Sequence, residues 1–231
     1  MLQINGIHSY YGDSHVLHGV SLDVKPGTVT SVLGRNGAGK TTTVLSIMGH
    51  LKPRSGEVIY EGRRITGLPP HRISRLGLGF VPQERGVFPS LSVEENLTVA
   101  ARPGRTGDWT LSRIYELFPR LGERRKNRGF QLSGGEQQMV SIARALMLNP
   151  STIILDEPSE GLALMIVNEI VEIMRQMKRA GMALLLIEQN LNAALELADI
   201  HYVLSKGQVC FVGTSETLRG NENVLSEHLS V

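Results

Sequence analysis

The chain of 231 residues has a single cysteine, a single tryptophan and only 5% aromatic side chains. With Cys210 alone, no intrachain disulfide can form, and such usage suits a reducing compartment. Cys210 lies in the apolar run Val209-Cys210-Phe211-Val212 and is expected to be a small buried residue. No apolar stretch approaches the ~18 residues of a membrane-spanning helix. The first residues lack a basic segment followed by an apolar one, so no signal peptide is expected. If the protein works at a membrane, another chain must hold it there. Charge of one sign is missing too: 24 basic against 22 acidic residues leave +2. That balance gives no general attraction for nucleic acid, and no nucleic-acid partner is expected. Arg120, Arg124, Arg125, Lys126 and Arg128 cluster, and read as a solvated surface turn. His15 and His18 have no third Cys or His near them in sequence, and read as ordinary polar residues.

What is present fits a globular chain with one sizeable core and room for a small second subdomain. Hydrophobic residues make up 41% and charged residues 20%. Residues 2–8 and 17–24 alternate as strands do, and 28–33 form a β-branched run ending at Gly34. A helix is expected over 40–49, short strands near 57–60 and 63–66, a helix opened by Pro69-Pro70, and a strand at 79–82. From residue 84 to about 131 strand-like runs give way to helical segments at 92–101 and 110–117. Ser92-Val93-Glu94-Glu95 carries a capping-box signature. This stretch reads as a helical subdomain inserted between 1–83 and 132–231. Beyond it a helix capped by Ser133 is expected to run to 148. Buried strands at 152–156 and 183–188 then flank a helix over 165–180. Buried apolar strands alternating with helices imply an α/β fold, a largely parallel sheet covered on both faces.

Gly34-Arg35-Asn36-Gly37-Ala38-Gly39-Lys40-Thr41 fits the phosphate-loop pattern G-x-x-x-x-G-K-[ST] between a strand and a helix. Glycines there let successive N–H groups face one concavity and hold phosphate oxygens. The helix N-terminus adds its positive dipole end. Lys40 can reach the outer phosphates and the Thr41 hydroxyl can ligate Mg²⁺. Thr42 follows within the same site. Downstream, Asp156-Glu157 ends a buried strand at the edge where open α/β sheets bind ligands. Asp156 is placed to hold Mg²⁺, and Glu157, free of the metal, to take a proton from attacking water. Leu132-Ser133-Gly134-Gly135-Glu136-Gln137 is a second helix N-terminus, with Ser133 as cap and glycines beside it. One triphosphate does not need two anion sites. The economical explanation is that the second serves a nucleotide on another subunit.

In this order the three motifs resemble those of ABC transporter ATPases, and the resemblance covers essentially the whole chain. It implies a P-loop cassette with an antiparallel β part and an inserted helical subdomain, working with ATP and Mg²⁺. It implies a dimer in which Ser133, Gly134, Gly135 and Glu136 meet the partner's nucleotide. Tyr11, before Gly12, matches the aromatic that stacks on adenine. Gln83, after Phe80-Val81-Pro82, matches the glutamine that touches Mg²⁺ and senses the membrane subunit. Ser159-Glu160-Gly161-Leu162 matches the loop that crosses the dimer interface. Tyr10-Tyr11-Gly12, Asp156-Glu157-Pro158-Ser159-Glu160-Gly161-Leu162-Ala163 and Glu188-Gln189-Asn190 resemble the F-type ATPase subunit of branched-chain amino acid importers. Urea and short-chain amide importers have similar subunits. The implied partners are a G-type ATPase subunit or a second copy, two permease subunits and, indirectly, a solute-binding protein. The implied location is the cytoplasmic face of the inner membrane. Two positions depart from the common pattern. Gln189 stands where most such ATPases carry a histidine that bonds the γ-phosphate; it donates a hydrogen bond but takes no charge. That leaves open a catalytically weak cassette that completes its partner's site. Leu164 replaces the usual proline, which loosens the start of the following helix slightly.

Overall fold

Two kinds of apolar pattern sort the strands into two sheets. The computed structural model describes residues 1–101 and 107–229. Strands β1 (Leu2–Tyr11), β2 (Ser14–Val24) and β4 (Ser55–Tyr60) mix buried with more exposed positions, and with the short exposed β5 (Arg63–Arg64) make an antiparallel sheet in the order β2-β1-β4-β5. Strands β3 (Val29–Leu33), β7 (Thr152–Asp156) and β8 (Ala183–Glu188) are buried at every position. With β6 (Leu78–Val81), β9 (Ile200–Ser205) and β10 (Gln208–Gly213) they form a second sheet, in the order β10-β9-β3-β8-β7-β6. Every pairing in it is parallel except β9–β10. The expectation of a largely parallel sheet therefore holds.

Alternation along the buried strands builds the core in two layers. Val32, Ile154, Leu185 and Ile187 pack with α1 (Lys40–Ile47) and the inner face of the antiparallel sheet. Val29, Ile153, Leu155, Leu184 and Leu186 face the other way, onto α6 (Gly134–Leu146) and α7 (Leu164–Arg179). Each buried leucine or isoleucine contributes about 1.5–3 kcal/mol. α7 begins at Leu164 without the usual proline, and no side chain caps it.

The 84–131 stretch holds α3 (Val93–Thr98), α4 (Leu111–Leu117), α5 (Pro119–Glu123) and one turn of 3-10 helix; residues 102–106 of it lie outside the described residues. Its apolar residues Val93, Leu97, Ile114, Phe118 and Leu121 share one cluster with α6 and α7. Ser92 caps α3 in the capping box read from the sequence. α5, opened by Pro119, has no counterpart in the sequence reading. Helices α2 (Pro70–Leu76), α8 (Leu191–Leu197), α9 (Ser215–Arg219) and α10 (Glu222–His228) complete the chain.

Two small expectations are corrected. Cys210 is exposed, not buried. β10 is the edge strand and alternates exposed and half-buried positions, with Cys210 on the exposed side; the β9–β10 register also slips between Val209 and Phe211. The first hairpin also runs further than the sequence suggested, because His15 stacks on Tyr10 at 4.1 Å and Arg54 lies 4.0 Å over the same ring. Pairing brings in a third histidine: His8 Nδ1 and His15 Nε2 lie 3.1 Å apart, and the His15 and His18 rings 3.8 Å.

His201 on β9 is fully buried, its ring nitrogens 2.7 Å from Ser31 Oγ and 2.8 Å from Ser215 Oγ. Burial, then the charge of Arg219, lowers its pKa from 6.5 to about 4, against an opposing pull from Asp199. Between those values the unfolded chain binds a proton that the folded chain refuses. Stability is thus lost on acidification through this window, by up to about 3 kcal/mol. Urea unfolding from pH 7 to 4 should therefore show His201→Asn gaining stability relative to its parent as pH falls, by up to that amount. An unchanged pH slope in the variant would remove His201 as its source.

Candidate functional site

β3 delivers the phosphate-loop residues to the carboxyl edge of the parallel sheet. Gly34 follows Leu33 at once. A side chain there would place its Cβ 2.5 Å from Leu204 O, at a φ of +155° that favours glycine. Gly39, at φ +109°, opens α1 with Leu17 and Gly207 so close that a Cβ would lie 2.8 Å from Leu17 Cδ2. The backbone is held from outside by the Gly207 N–H, which donates to Ala38 O at 2.9 Å. Arg35, Asn36 and Gly37 are exposed, and Ala38, Gly39 and Lys40 are buried. Thr41 is exposed at the start of α1, and Thr42 is 8% exposed beside it.

The acidic pair arrives from β7, one strand away. Leu33 pairs with Glu188 and Asp156 with Ile187, so Gly34 and Glu157 flank the end of β8. Glu157 has left-handed backbone, φ +48°, held by its N–H donating to Ile187 O at 2.9 Å. Such a conformation costs about 1 kcal/mol or more in a residue with a Cβ. It turns the carboxylate toward Lys40, whose Nζ lies 3.1 Å from Glu157 Oε1, with the two side chains only 4% and 8% exposed. Lys40 Nζ also donates to Gly34 O at 2.9 Å.

Asp156 sits deeper. Burial first, then the neighbouring Glu157 charge, raises its pKa from 3.8 to about 6; Lys40 pulls it down, while Glu84 and Glu160 add to the rise. Its Oδ1 is buried with no hydrogen-bond partner among the described residues. A buried carboxylate oxygen without a partner is costly unless a cation takes it. The Asp156 carboxylate, Thr41 hydroxyl and Gln83 amide are oxygen donors of the kind a hard divalent cation accepts, so their chemistry fits Mg²⁺.

Gln83 Nε2 donates to Glu160 Oε2 at 2.6 Å and reaches Glu157 Oε2 at 3.4 Å. Asn36, Gly37, Gly39, Lys40, Thr41, Thr42, Gln83 and Glu157 thereby meet around one cavity of ≈ 330 Å³. A larger hollow of ≈ 560 Å³ opens beside Thr152 and Ala183, at the starts of β7 and β8. Parallel sheets bind ligands at the carboxyl ends of their strands, so the smaller cavity is the candidate site.

Three residues that the sequence reading did not assign to the nucleotide pocket belong here. Val16 and Glu160 line the cavity. Glu188, 2% exposed, accepts from the Ser159 N–H at 3.2 Å through one oxygen, and from the Gln189 and Asn190 N–H groups at 3.2 and 3.1 Å through the other. One carboxylate thus ties together the loops after β7 and β8. A charged residue closing an otherwise apolar strand was the available signal.

Other predicted residues stand apart from the cavity. Tyr11, 49% exposed, is at the hairpin tip and does not line it. Gln189 is exposed just past β8. Ser133 caps α6 in a full capping box with Glu136; Gly134 and Gly135 form its first turn. A Cβ on Gly135 would meet Ile166 at 3.0 Å, and one on Gly134 would meet Arg85 Nη1 at 2.8 Å. Arg144 of α6 donates to Gly86 O at 2.7 Å and Arg85 O at 3.2 Å, tying this helix to the segment that follows Gln83.

Residues 17–160 match the family model described as ABC transporter. The chain is 42% identical over 231 residues to the high-affinity branched-chain amino acid transport ATP-binding protein BraG of Pseudomonas aeruginosa, covering 99% of each. It is 37% identical over 228 residues to the probable branched-chain amino acid transport ATP-binding protein LivF of Archaeoglobus fulgidus, covering 96% of this chain and 95% of that one. A crystal structure of a nucleotide-free ATP-binding cassette from an ABC transporter superposes with a TM-score of 0.84 at 31% identity, covering 98% of this chain and 95% of the other.

Proposed function

This chain belongs to the ABC transporter family as one of its ATP-hydrolysing cassettes, and from that premise we propose that it energises import of branched-chain amino acids or related small amides. The observation that carries the ATPase chemistry is the meeting of Lys40, Gln83 and Glu157 on one cavity, with the neighbouring Asp156 holding a buried oxygen that has no hydrogen-bond partner among the described residues. The N–H groups of residues 34–42 receive the phosphates of ATP. Lys40 exchanges its contact with Glu157 for the outer phosphates. Glu157, released, accepts the proton of the attacking water. Thr41, Asp156 and Gln83 would hold Mg²⁺, which would supply neutralisation of the phosphate charge. Gln189 donates an amide hydrogen bond from the loop that Glu188 braces.

Ser133, Gly134, Gly135 and Glu136 lie outside the cavity, which supports their use on a partner's nucleotide. Tyr11 stacks on adenine, with Val16 on the paired strand beside it. ATP then joins two cassettes, and hydrolysis lets them part. The helical segment 84–131 acts as the subdomain that meets the permease, near Gln83. Closure shifts the permease between its two faces because the contacts differ between states. No helix among the described residues is long and apolar enough to cross a membrane. In this reading the cassette sits on the cytoplasmic face, held by two permease subunits, with a G-type ATPase subunit or a second copy as its dimer partner.

The names of the two relatives support the solute class. The test is ATP hydrolysis by the complex with its permease and solute-binding protein in vesicles. Leucine, isoleucine or valine should stimulate turnover several-fold. Stimulation by urea alone would replace the solute. Undiminished turnover after inactivating this chain's own phosphate loop with Lys40→Ala would instead make it a silent partner cassette.

A further inference from the structure

The basic run at 120–128 does more than solvate a turn. α5 ends at Glu123 with Arg124 as its C-cap, anchored by buried Leu121, and Asn127 N–H donates back to Arg124 O at 2.8 Å. From there Arg124 Nε reaches Glu136 Oε1 at 2.7 Å, with Glu136 only 12% exposed. The other oxygen, Glu136 Oε2, accepts from Ser133 N–H at 2.8 Å and from Ser133 Oγ–H at 2.9 Å. The Ser133 hydroxyl has one proton, and here Glu136 holds it.

We infer that Arg124 is a positioning residue for the ATP reaction: by pairing with Glu136 it sets the charge and placement of the carboxylate that controls the Ser133 hydroxyl. The inference rests on the proposal that Ser133 meets a nucleotide of the partner cassette. A γ-phosphate arriving at Ser133 needs that hydroxyl as a donor, and it meets the negative charge of Glu136 directly behind. Arg124 neutralises that charge through Oε1 and so weakens the hold of Oε2 on the Ser133 proton, which lets Ser133 turn its proton outward. The same turn carries this link into the helical segment. Arg125 O and Asn127 O accept the N–H groups of Glu94 and Val93, at 3.1 and 2.9 Å, at the start of α3. A movement of α3 therefore reaches Ser133 through two backbone bonds and one ion pair.

The test is a double-mutant cycle on the full chain assembled with its membrane partners, reading KM for ATP and kcat. Arg124 is 46% exposed, so Arg124→Ala should fold. It should raise KM for ATP about three- to fivefold with a smaller change in kcat, and the effect should shrink as salt rises. Arg124→Lys should restore most of the affinity. In a Glu136→Gln background there is no charge to neutralise, and Arg124→Ala should add nothing further. An unchanged KM in Arg124→Ala, or the same loss with and without the Glu136 carboxylate, overturns the inference. Ser133→Arg separates the two ideas. If it abolishes turnover while Arg124→Ala is silent, only the role of Arg124 falls. If it leaves KM and kcat intact, the trans reading of Ser133 falls first.

Discussion

Glu157→Gln is expected to cut ATP turnover by about a hundredfold or more while ATP binding stays intact or tightens. The size follows from loss of a positioned general base, which contributes roughly 10²–10⁴ in rate. The sign of the binding change follows from the ion pair. Lys40 is already spent on Glu157 at 3.1 Å and on Gly34 O at 2.9 Å, both contacts largely sheltered from water. ATP must break the first of these. Glutamine keeps the shape but removes the charge, so the competitor for Lys40 weakens. Gln83, which reaches the same carboxylate at 3.4 Å, keeps its shorter bond to Glu160. Turnover and ATP affinity, measured on the assembled complex, should therefore move in opposite senses. Undiminished steady-state hydrolysis would remove Glu157 from the role of base. A fall in ATP affinity would show that its contact with Lys40 does not compete with phosphate.

Asp156→Asn should separate stability from activity by a wider margin. Several kcal/mol of transition-state stabilisation go with a catalytic metal, so loss of its carboxylate ligand should lower Mg²⁺-dependent turnover about a thousandfold. The ligand-free fold should become more stable at pH 7, by up to about 3 kcal/mol. The reason is the raised pKa, about 6 against an ordinary 3.8. At pH 7 the folded chain bears an ionised carboxylate that burial and Glu157 disfavour. As pH falls from about 6 toward 4 the folded state takes up the proton first, so this group adds stability on acidification. His201 acts in the opposite sense over nearly the same window, since its pKa is lowered to about 4. The two largely offset in the natural chain. Asp156→Asn removes one side of that balance, so its stability should fall more steeply from pH 6 to 4 than that of the parent. Mg²⁺ affinity of the parent should weaken below about pH 6, as a proton competes for the carboxylate. Urea titrations across pH, with and without Mg²⁺ and ATP, check every part. A variant less stable than its parent at pH 7 would mean that the buried charge is not a cost.

Particular residues show how far the sequence could be read. The elements at 152–156 and 183–188 match the observed strands because their unbroken apolar runs end at charged residues. Ser92 and Ser133 were legible as caps because a glutamate follows each at the spacing that a capping box requires. Glu160 and Glu188 were not recognised as parts of the site. Their role depends on which strand ends lie side by side, and that order, β3-β8-β7, is absent from local pattern. Cys210 was misread because an apolar run does not reveal that its strand lies at the edge of the sheet with one face in solvent.

The phosphate loop, the acidic pair and the capped glycine helix were fixed by covalent neighbours alone, since glycine freedom, helix dipoles and caps act within a few residues. Long-range packing decided the rest. It set Glu157 in left-handed backbone against Lys40, buried Asp156 until its carboxyl titrates near 6, and joined Arg124 to Glu136. Charges and burial act through space, so their effect on a residue is defined only when distant parts of the chain have been brought together.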